Sequence, residues 1–385
     1  MRILHTADWH IGKKLGRLDR REEAEAVLDE LVSVADGEDV DAVLVAGDLF
    51  DRAGPPLETM KLVLETLVRL AEGRRVVVIP GNHDSPALFE VLAPLVRNFG
   101  IEMVARPLEP DAGGVVSVPS RDGKQVARVA CMPFIHETQV IDFLAAPEEG
   151  FKSYADRIRN IARYYADWML AHPVADSVDL LMGHFMVHGA TPSGSERELH
   201  IGEAYMASAD AIPSTIKYGA LGHIHLPQEA PGSSVPAWFS GSLMQLDFGE
   251  AAQEKSVCIV DVEPGMKPAQ ARLVPITSGR SLMKVSDTLD GLRSRANEFG
   301  DAWLHVSVKT EGPEPGLAEE VRAFLPNALQ VYADYERIDG ERPRREGQSI
   351  TDLYKEFWMT RKGAEPSPAL VAAFDGLLDE TGVSL

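Results

Sequence analysis

The chain has 385 residues, 45% hydrophobic and 25% charged, with a formal net charge of −21 at pH 7. That length and composition suit a soluble globular protein with a sizeable core and more than one domain, and the acid surplus argues against a simple nucleic-acid binder with a basic surface. No stretch reaches transmembrane length and Met1–Asp8 carries no apolar leader core, so a cytoplasmic protein with no membrane contact is expected.

In chain order, residues 1–7 predict a short strand that ends in Asp8. The spacing of Ala24, Val27, Leu28, Leu31 and Val34 predicts a helix over 20–36, and residues 41–46 an apolar strand running into Gly47-Asp48. Pro55-Pro56 marks the start of a helix over 57–72, and residues 76–80 lead into Gly81-Asn82-His83-Asp84. Strands alternating with helices in this way predict an α/β architecture with strands covered on both faces. The pattern then loosens. Residues 115–134 predict a hairpin turning at Asp122-Gly123, residues 151–171 a long amphipathic helix, and residues 177–183 a strand ending at His184. Residues 186–204, rich in Gly, Ser and Glu, predict a mobile loop; strands follow over 218–222, 237–242 and 256–262. Cys131 and Cys258 each lie within such an apolar run, which suits two buried thiols better than a disulfide. A first domain over 1–275 is expected, with a boundary where Pro, Gly and Ser accumulate over 264–282. Residues 283–338 predict a small α+β unit, 339–349 a charged linker, and 350–385 a tail of two amphipathic helices.

Five short turns close apolar runs: Asp8-Trp9-His10, Gly47-Asp48-Leu49-Phe50-Asp51, Gly81-Asn82-His83-Asp84, Gly183-His184 and Gly222-His223-Ile224-His225. Any one could be an ordinary turn, but together they hold five of the 11 histidines. Their carboxylates, imidazoles and amide form the ligand set of a site for two divalent metals, and the reaction such a site serves is metal-assisted phosphoester hydrolysis. Two dications roughly 3.5–4 Å apart need a bridging carboxylate, and Asp48, at a buried strand end, is the natural bridge. Lys13, Lys14, Arg17, Arg20 and Arg21 crowd behind the first turn, where they read either as a solvated face or as contacts to a phosphate backbone.

Taken in this order, the five turns resemble the calcineurin-like metallophosphoesterase superfamily. Within it, the opening MRILHTADWHIGK, the block VAGDLFDRAGPP and GALGHIH with the Ser240–Ser242 turn resemble the Mre-type nuclease subunits of bacterial SbcCD complexes. The resemblance implies a sandwich of β-sheets flanked by helices, a small capping domain and a helical tail. It places Asp8, His10, Asp48 and His225 on one metal, most often Mn²⁺, and Asp48, Asn82, His184 and His223 on the other. His83 would face the substrate, with Asp84 orienting it. If that substrate is DNA, the clustering of Lys13, Lys14, Arg17 and Arg20 makes them the residues expected to contact it. Asp51 stands where some relatives carry histidine, so no role passes to it. An SbcC-type SMC-like ATPase is the implied partner, on the tail residues Tyr354, Phe357, Trp358, Leu370 and Phe374; packing of those helices on their own chain is the competing expectation. A homodimer, a nucleoid-associated location and exonuclease and single-strand endonuclease activity on DNA ends and hairpins are implied too. The competing functions are a phosphodiesterase or phosphatase acting on small molecules or phosphoproteins, and a scaffold with a merely structural site.

Overall fold

The computed structural model describes residues 1–136, 153–196, 206–265, 267–335, 350–362 and 365–381. Among these residues are 17 strands: β1 (Arg2–Thr6), β2 (Ala42–Ala46), β3 (Arg75–Ile79), β4 (Ile101–Met103), β5 (Val115–Pro119), β6 (Val126–Met132), β7 (Ser177–His184), β8 (Met186–Val187), β9 (Met206–Ala207), β10 (Tyr218–Gly222), β11 (Gln228–Glu229), β12 (Ala237–Phe239), β13 (Lys255–Asp261), β14 (Gln270–Ile276), β15 (Leu282–Asp287), β16 (Trp303–Lys309) and β17 (Ala328–Asp334). Two six-stranded sheets form, in the orders β14-β13-β1-β2-β3-β4 and β11-β12-β10-β7-β6-β5. In the first, β1 to β4 run parallel, β13 pairs antiparallel with β1, and β14 pairs antiparallel with β13; in the second, β6, β7, β10 and β12 run parallel.

A core drawn from both sheets, including Leu44, Ile79, Val129, Leu180 and Val260, lies between them. Helices close the outer faces. Arg21–Gly37 buries Ala24, Val27, Leu28, Leu31, Val32 and Ala35 along one stripe, and with Leu57–Leu70 it covers the first sheet. Tyr154–Ala171, capped by Ser153 accepting from the Asp156 N–H, covers the second. This layering follows from the sequence: strands such as β2, buried at every position, need cover on both faces. Both cysteines are buried and unpaired with each other. Among the described residues, no helix is long and apolar enough to cross a membrane.

Three expectations need correction. The 264–282 segment is not a plain boundary, because residues 270–276 form β14 and pair with β13 along its length. The 186–204 segment is not simply a loop: β8 pairs with β9, and Ser193 and Glu196 are buried beneath the site, while residues 197–205 lie outside the described set. Between 85 and 114, where no element was expected, a helix spans Pro86–Val96. Its inward residues Phe89, Leu92 and Val96 are buried, but Val91 and Leu95 are 65% and 61% exposed, so apolar residues on both faces blur the period.

The small α+β unit stacks helices Leu289–Ser294 and Leu317–Phe324 on one face of the β15-β16-β17 sheet. It joins the sandwich through Glu23, whose carboxylate accepts from Trp303 Nε1 at 2.9 Å, from the Arg280 N–H at 3.3 Å and from Arg20 Nη2 at 2.7 Å. Contacts divide the chain into two compact bodies, of which the second comprises 310–314 and 334–385. In that second body, helices Ile350–Lys362 and Pro368–Thr381 meet through Tyr354 and Phe374, stacked at 4.0 Å. Two of the five tail residues expected on a partner therefore face each other, whereas Phe357 is 58% exposed. The expected linker, 339–349, lies outside the described residues.

Candidate metal centre

Each of the five turns leaves the carboxyl end of a parallel strand: β1, β2 and β3 in one sheet, β7 and β10 in the other. Gly222 of β10 lies in register with His184 of β7, so the ligands of the second sheet arrive side by side. The turns are cross-tied. Asp8 N–H donates to the Gly47 carbonyl at 2.9 Å, His10 N–H to the Asp48 carbonyl at 3.0 Å, and His83 N–H to Asp48 Oδ1 at 2.7 Å. The backbone there is held in a costly form. Asp8, His10, Asp48 and His223 have φ of 54°, 46°, 54° and 97°, a region that costs a non-glycine residue on the order of 1–3 kcal/mol. Gly81 is required for a different reason: a Cβ there would stand 2.2 Å from Asp48 Oδ1.

All seven expected ligands converge. Asp48 Oδ2 lies 3.5 Å from His10 Nε2 and 3.4 Å from His184 Nε2. His225 Nε2 lies 3.1 Å from His10 Nε2, and Asn82 Oδ1 lies 3.0 Å from His184 Nε2 and 2.9 Å from His223 Nδ1. Asp8, His10 and His225 form one tight donor group, and Asp8, Asp48 and His184 another. Lone pairs crowded this closely, from four imidazoles and three oxygen-bearing side chains, fit a pair of divalent cations of the Mn²⁺ or Fe²⁺ kind.

The same crowding shifts the titration of these groups. Burial pushes the Asp8 carboxyl up to about 6, with His184 and His225 pulling the other way. Burial also works against charge on Asp48, yet His184, His10 and His83 hold its carboxyl well below the usual range. Burial would lower His184, but Asp48 holds it up at about 9. Burial keeps His10 well below its ordinary value.

His83 sits beside this group, its ring 4.6 Å from that of His10 and its Nδ1 2.9 Å from the Asp51 carbonyl. The expected contact from Asp84 to His83 is replaced by another. The Asp84 carboxylate accepts from the backbone N–H groups of Leu49, Phe50 and Gly81 at 3.0–3.1 Å, so it ties the Asp48 turn to the Asn82 turn instead. Burial and nearby Asp48 push its carboxyl up to about 7, against the N–H groups that favour the ion.

The basic cluster is reordered. Arg20 is not available to DNA: it is buried, paired with Glu23, and donates to the Gln245 carbonyl at 2.5 Å. Lys13 pairs with Asp51 at 3.4 Å and Lys14 with Asp19 at 3.5 Å; both line a cavity of about 630 Å³ beside the ligands, with Arg52. Arg17 is exposed at a smaller cleft with Phe248 and Gln330.

Several site residues escaped the sequence reading. Phe134 packs its ring at 6.1–6.2 Å from those of His223 and His184. Behind His225 stand Glu196, Glu250 and Lys255, all buried. The usable signal was a Glu at 250 and a Lys at 255 leading into the apolar strand β13, where ionic side chains are rare unless paired.

A family model described as calcineurin-like phosphoesterase matches residues 1–227. The chain is 32% identical over 385 residues to the SbcD subunit of the nuclease SbcCD from Bacillus subtilis, covering 97% of each chain. It is 30% identical to the SbcD protein of Escherichia coli K12, over 94% of this chain and 92% of that one. The Rhodobacter capsulatus counterpart is 29% identical over 86% and 85%. Among solved structures, a dimetal phosphatase from Danio rerio aligns with 72% of this chain and 99% of its own at 11% identity and a TM-score of 0.38. With a site built for metal-dependent phosphoester hydrolysis and relatives matched end to end, the chain belongs to the calcineurin-like phosphoesterase family, in its branch of SbcD nucleases.

Proposed function

We propose that this chain is a two-metal, Mn²⁺-dependent nuclease subunit. It hydrolyses phosphodiester bonds at double-strand DNA ends and hairpins, as exonuclease and single-strand endonuclease, in the cytoplasm at the nucleoid and in DNA repair or recombination. The observation that carries the reading is Asp48 Oδ2 lying 3.4–3.5 Å from imidazoles of two donor groups, the place of a bridging ligand. Asp8, His10, Asp48 and His225 would hold one ion, and Asp48, Asn82, His184 and His223 the other. When bound, such a pair supplies an activated water nucleophile and neutralises charge on the phosphoryl oxygens.

The chain's own residues do the rest. His83 Nδ1–H donates to the Asp51 carbonyl, which leaves Nε2 as the nitrogen that exchanges a proton with the leaving oxygen. Asp84 keeps His83 in place indirectly, by clamping the backbone on either side of it. Arg17, Lys13 and Lys14 are the candidates for the DNA backbone. An SbcC-type SMC-like ATPase would dock on the tail, where Phe357 is 58% exposed. A second copy of the chain would cover Val91 and Leu95 of the helix Pro86–Val96. Residues 1–275 would then act as the nuclease domain, 283–338 as its cap, 339–349 as the linker and 350–385 as the docking tail.

A second reading, a phosphodiesterase or phosphatase for small molecules or phosphoproteins, is favoured by the pairing of Lys13 and Lys14 with carboxylates. Substrate competition separates the two. Under the nuclease reading, His83→Ala abolishes Mn²⁺-dependent cleavage of duplex DNA while elemental analysis still finds both ions. Loss of metal in that variant would reject the role given to His83.

A further inference from the structure

The histidines of the centre are not held alike. His184 turns its Nδ1 to a backbone carbonyl, that of Ala46, at 2.8 Å. His225 turns its Nδ1 to a buried carboxylate: Glu250 Oε1 at 3.1 Å, with Ser195 Oγ at 2.6 Å and itself hydrogen-bonded to that oxygen. Glu250 can only accept here, so the proton of His225 sits on Nδ1 and the lone pair on Nε2, toward His10.

Glu250 is itself built in. It is fully buried, and its Oε2 takes Lys255 Nζ at 2.7 Å and the Leu246 N–H at 2.9 Å. Lys255 reaches on to the His225 carbonyl at 3.0 Å, and Glu196 accepts the His225 N–H at 3.0 Å. Ring, carbonyl and N–H of one ligand are thus gripped by three ionic side chains. A buried ion pair with no ligand to orient would be an expensive way to fill this space, since apolar residues of similar volume pack there as well or better.

We propose that Glu250, charge-balanced by Lys255, is a positioning residue that makes the Asp8–His10–Asp48–His225 half of the centre the tighter of the two metal sites. A carboxylate behind an imidazole fixes its tautomer and strengthens it as a donor more than a backbone carbonyl does. The inference rests on the two-metal reading above.

Mn²⁺ titration of the full-length chain, followed by electron paramagnetic resonance and calorimetry, tests it. Wild type binds two ions in two affinity classes, and His184→Gln weakens the weaker class, which assigns it. In Glu250→Gln the tighter class loses roughly 10–100-fold in affinity while the weaker keeps its own. The double variant Glu250→Gln/Lys255→Met, which removes both members of the buried pair together, shows the same selective loss and guards against a fold defect in the single one. Two unchanged classes in both variants, or equal loss in both classes, would overturn the proposal while leaving the two-metal reading intact. A wild-type chain that binds no Mn²⁺ would overturn that reading itself.

Discussion

Gly81→Ala is the sharpest probe of the bridging position. An ideal Cβ at residue 81 stands 2.2 Å from Asp48 Oδ1 and 2.6 Å from both its Cγ and its backbone nitrogen, where ordinary contact begins at 3.4 Å. The carboxylate must therefore move by roughly 1 Å, and the backbone nitrogen cannot yield by rotating a side chain. Asp48 Oδ1 also holds the His83 N–H at 2.7 Å, so the turn carrying Asn82 and His83 shifts with it. Overpacking of this kind costs about 1–3 kcal/mol of stability. A 1 Å error in a reacting constellation costs on the order of 10²-fold in rate. The expected result is a folded protein by circular dichroism that retains less than two equivalents of Mn²⁺ after dialysis and hydrolyses bis-nitrophenyl phosphate about 10²-fold more slowly. Gly123→Ala is the control: its φ of 70° makes alanine unfavourable, but no atom lies within 4 Å of the added methyl, so it lowers stability and spares the metals. Full metal content and wild-type hydrolysis in Gly81→Ala would refute the placement of Asp48 between two ions.

Two further outcomes follow from the same geometry. Glu23→Ala strands the guanidinium of Arg20, which is 0% exposed, and removes the acceptor of Trp303, so urea unfolding should show a loss of about 3 kcal/mol or more; an unchanged midpoint would remove Glu23 as the junction. His184, held up at about 9, carries a proton at pH 7 that coordination must displace. Mn²⁺ binding at pH 7 therefore releases protons, and its apparent enthalpy varies with the ionisation enthalpy of the buffer. Affinity rises with pH up to about 9 and falls more steeply below about 6, where Asp8 also protonates; an enthalpy independent of buffer would contradict this.

Much of the centre was legible because its ligands sit in short turns right after apolar strands, where residue type and spacing survive in one dimension. The left-handed backbone at Asp8, Asp48 and His223 is written there only as small turns, since nothing in a sequence prints φ. Glu250 and Lys255 were not legible as site residues, because their task is to reach His225 across 25 and 30 positions of chain. Arg20 misled for the opposite reason. It sits among exposed cations in sequence, yet the helix beginning at Arg21 turns it inward onto Glu23 and Gln245. Strand β14 was hidden because it is an edge strand that carries Pro275 and buries only its last residue, Ile276, so its sequence lacks a buried face to alternate.

The measurement closest to the central claim is cleavage of an end-labelled linear duplex by the purified chain, with Mn²⁺ and with EDTA, alone and with an SbcC-type ATPase and ATP. Shortening that requires Mn²⁺, disappears in His83→Ala and increases with the ATPase is the predicted result. An intact duplex under every condition, with bis-nitrophenyl phosphate still hydrolysed, would contradict the nuclease assignment and move the substrate to a small phosphodiester.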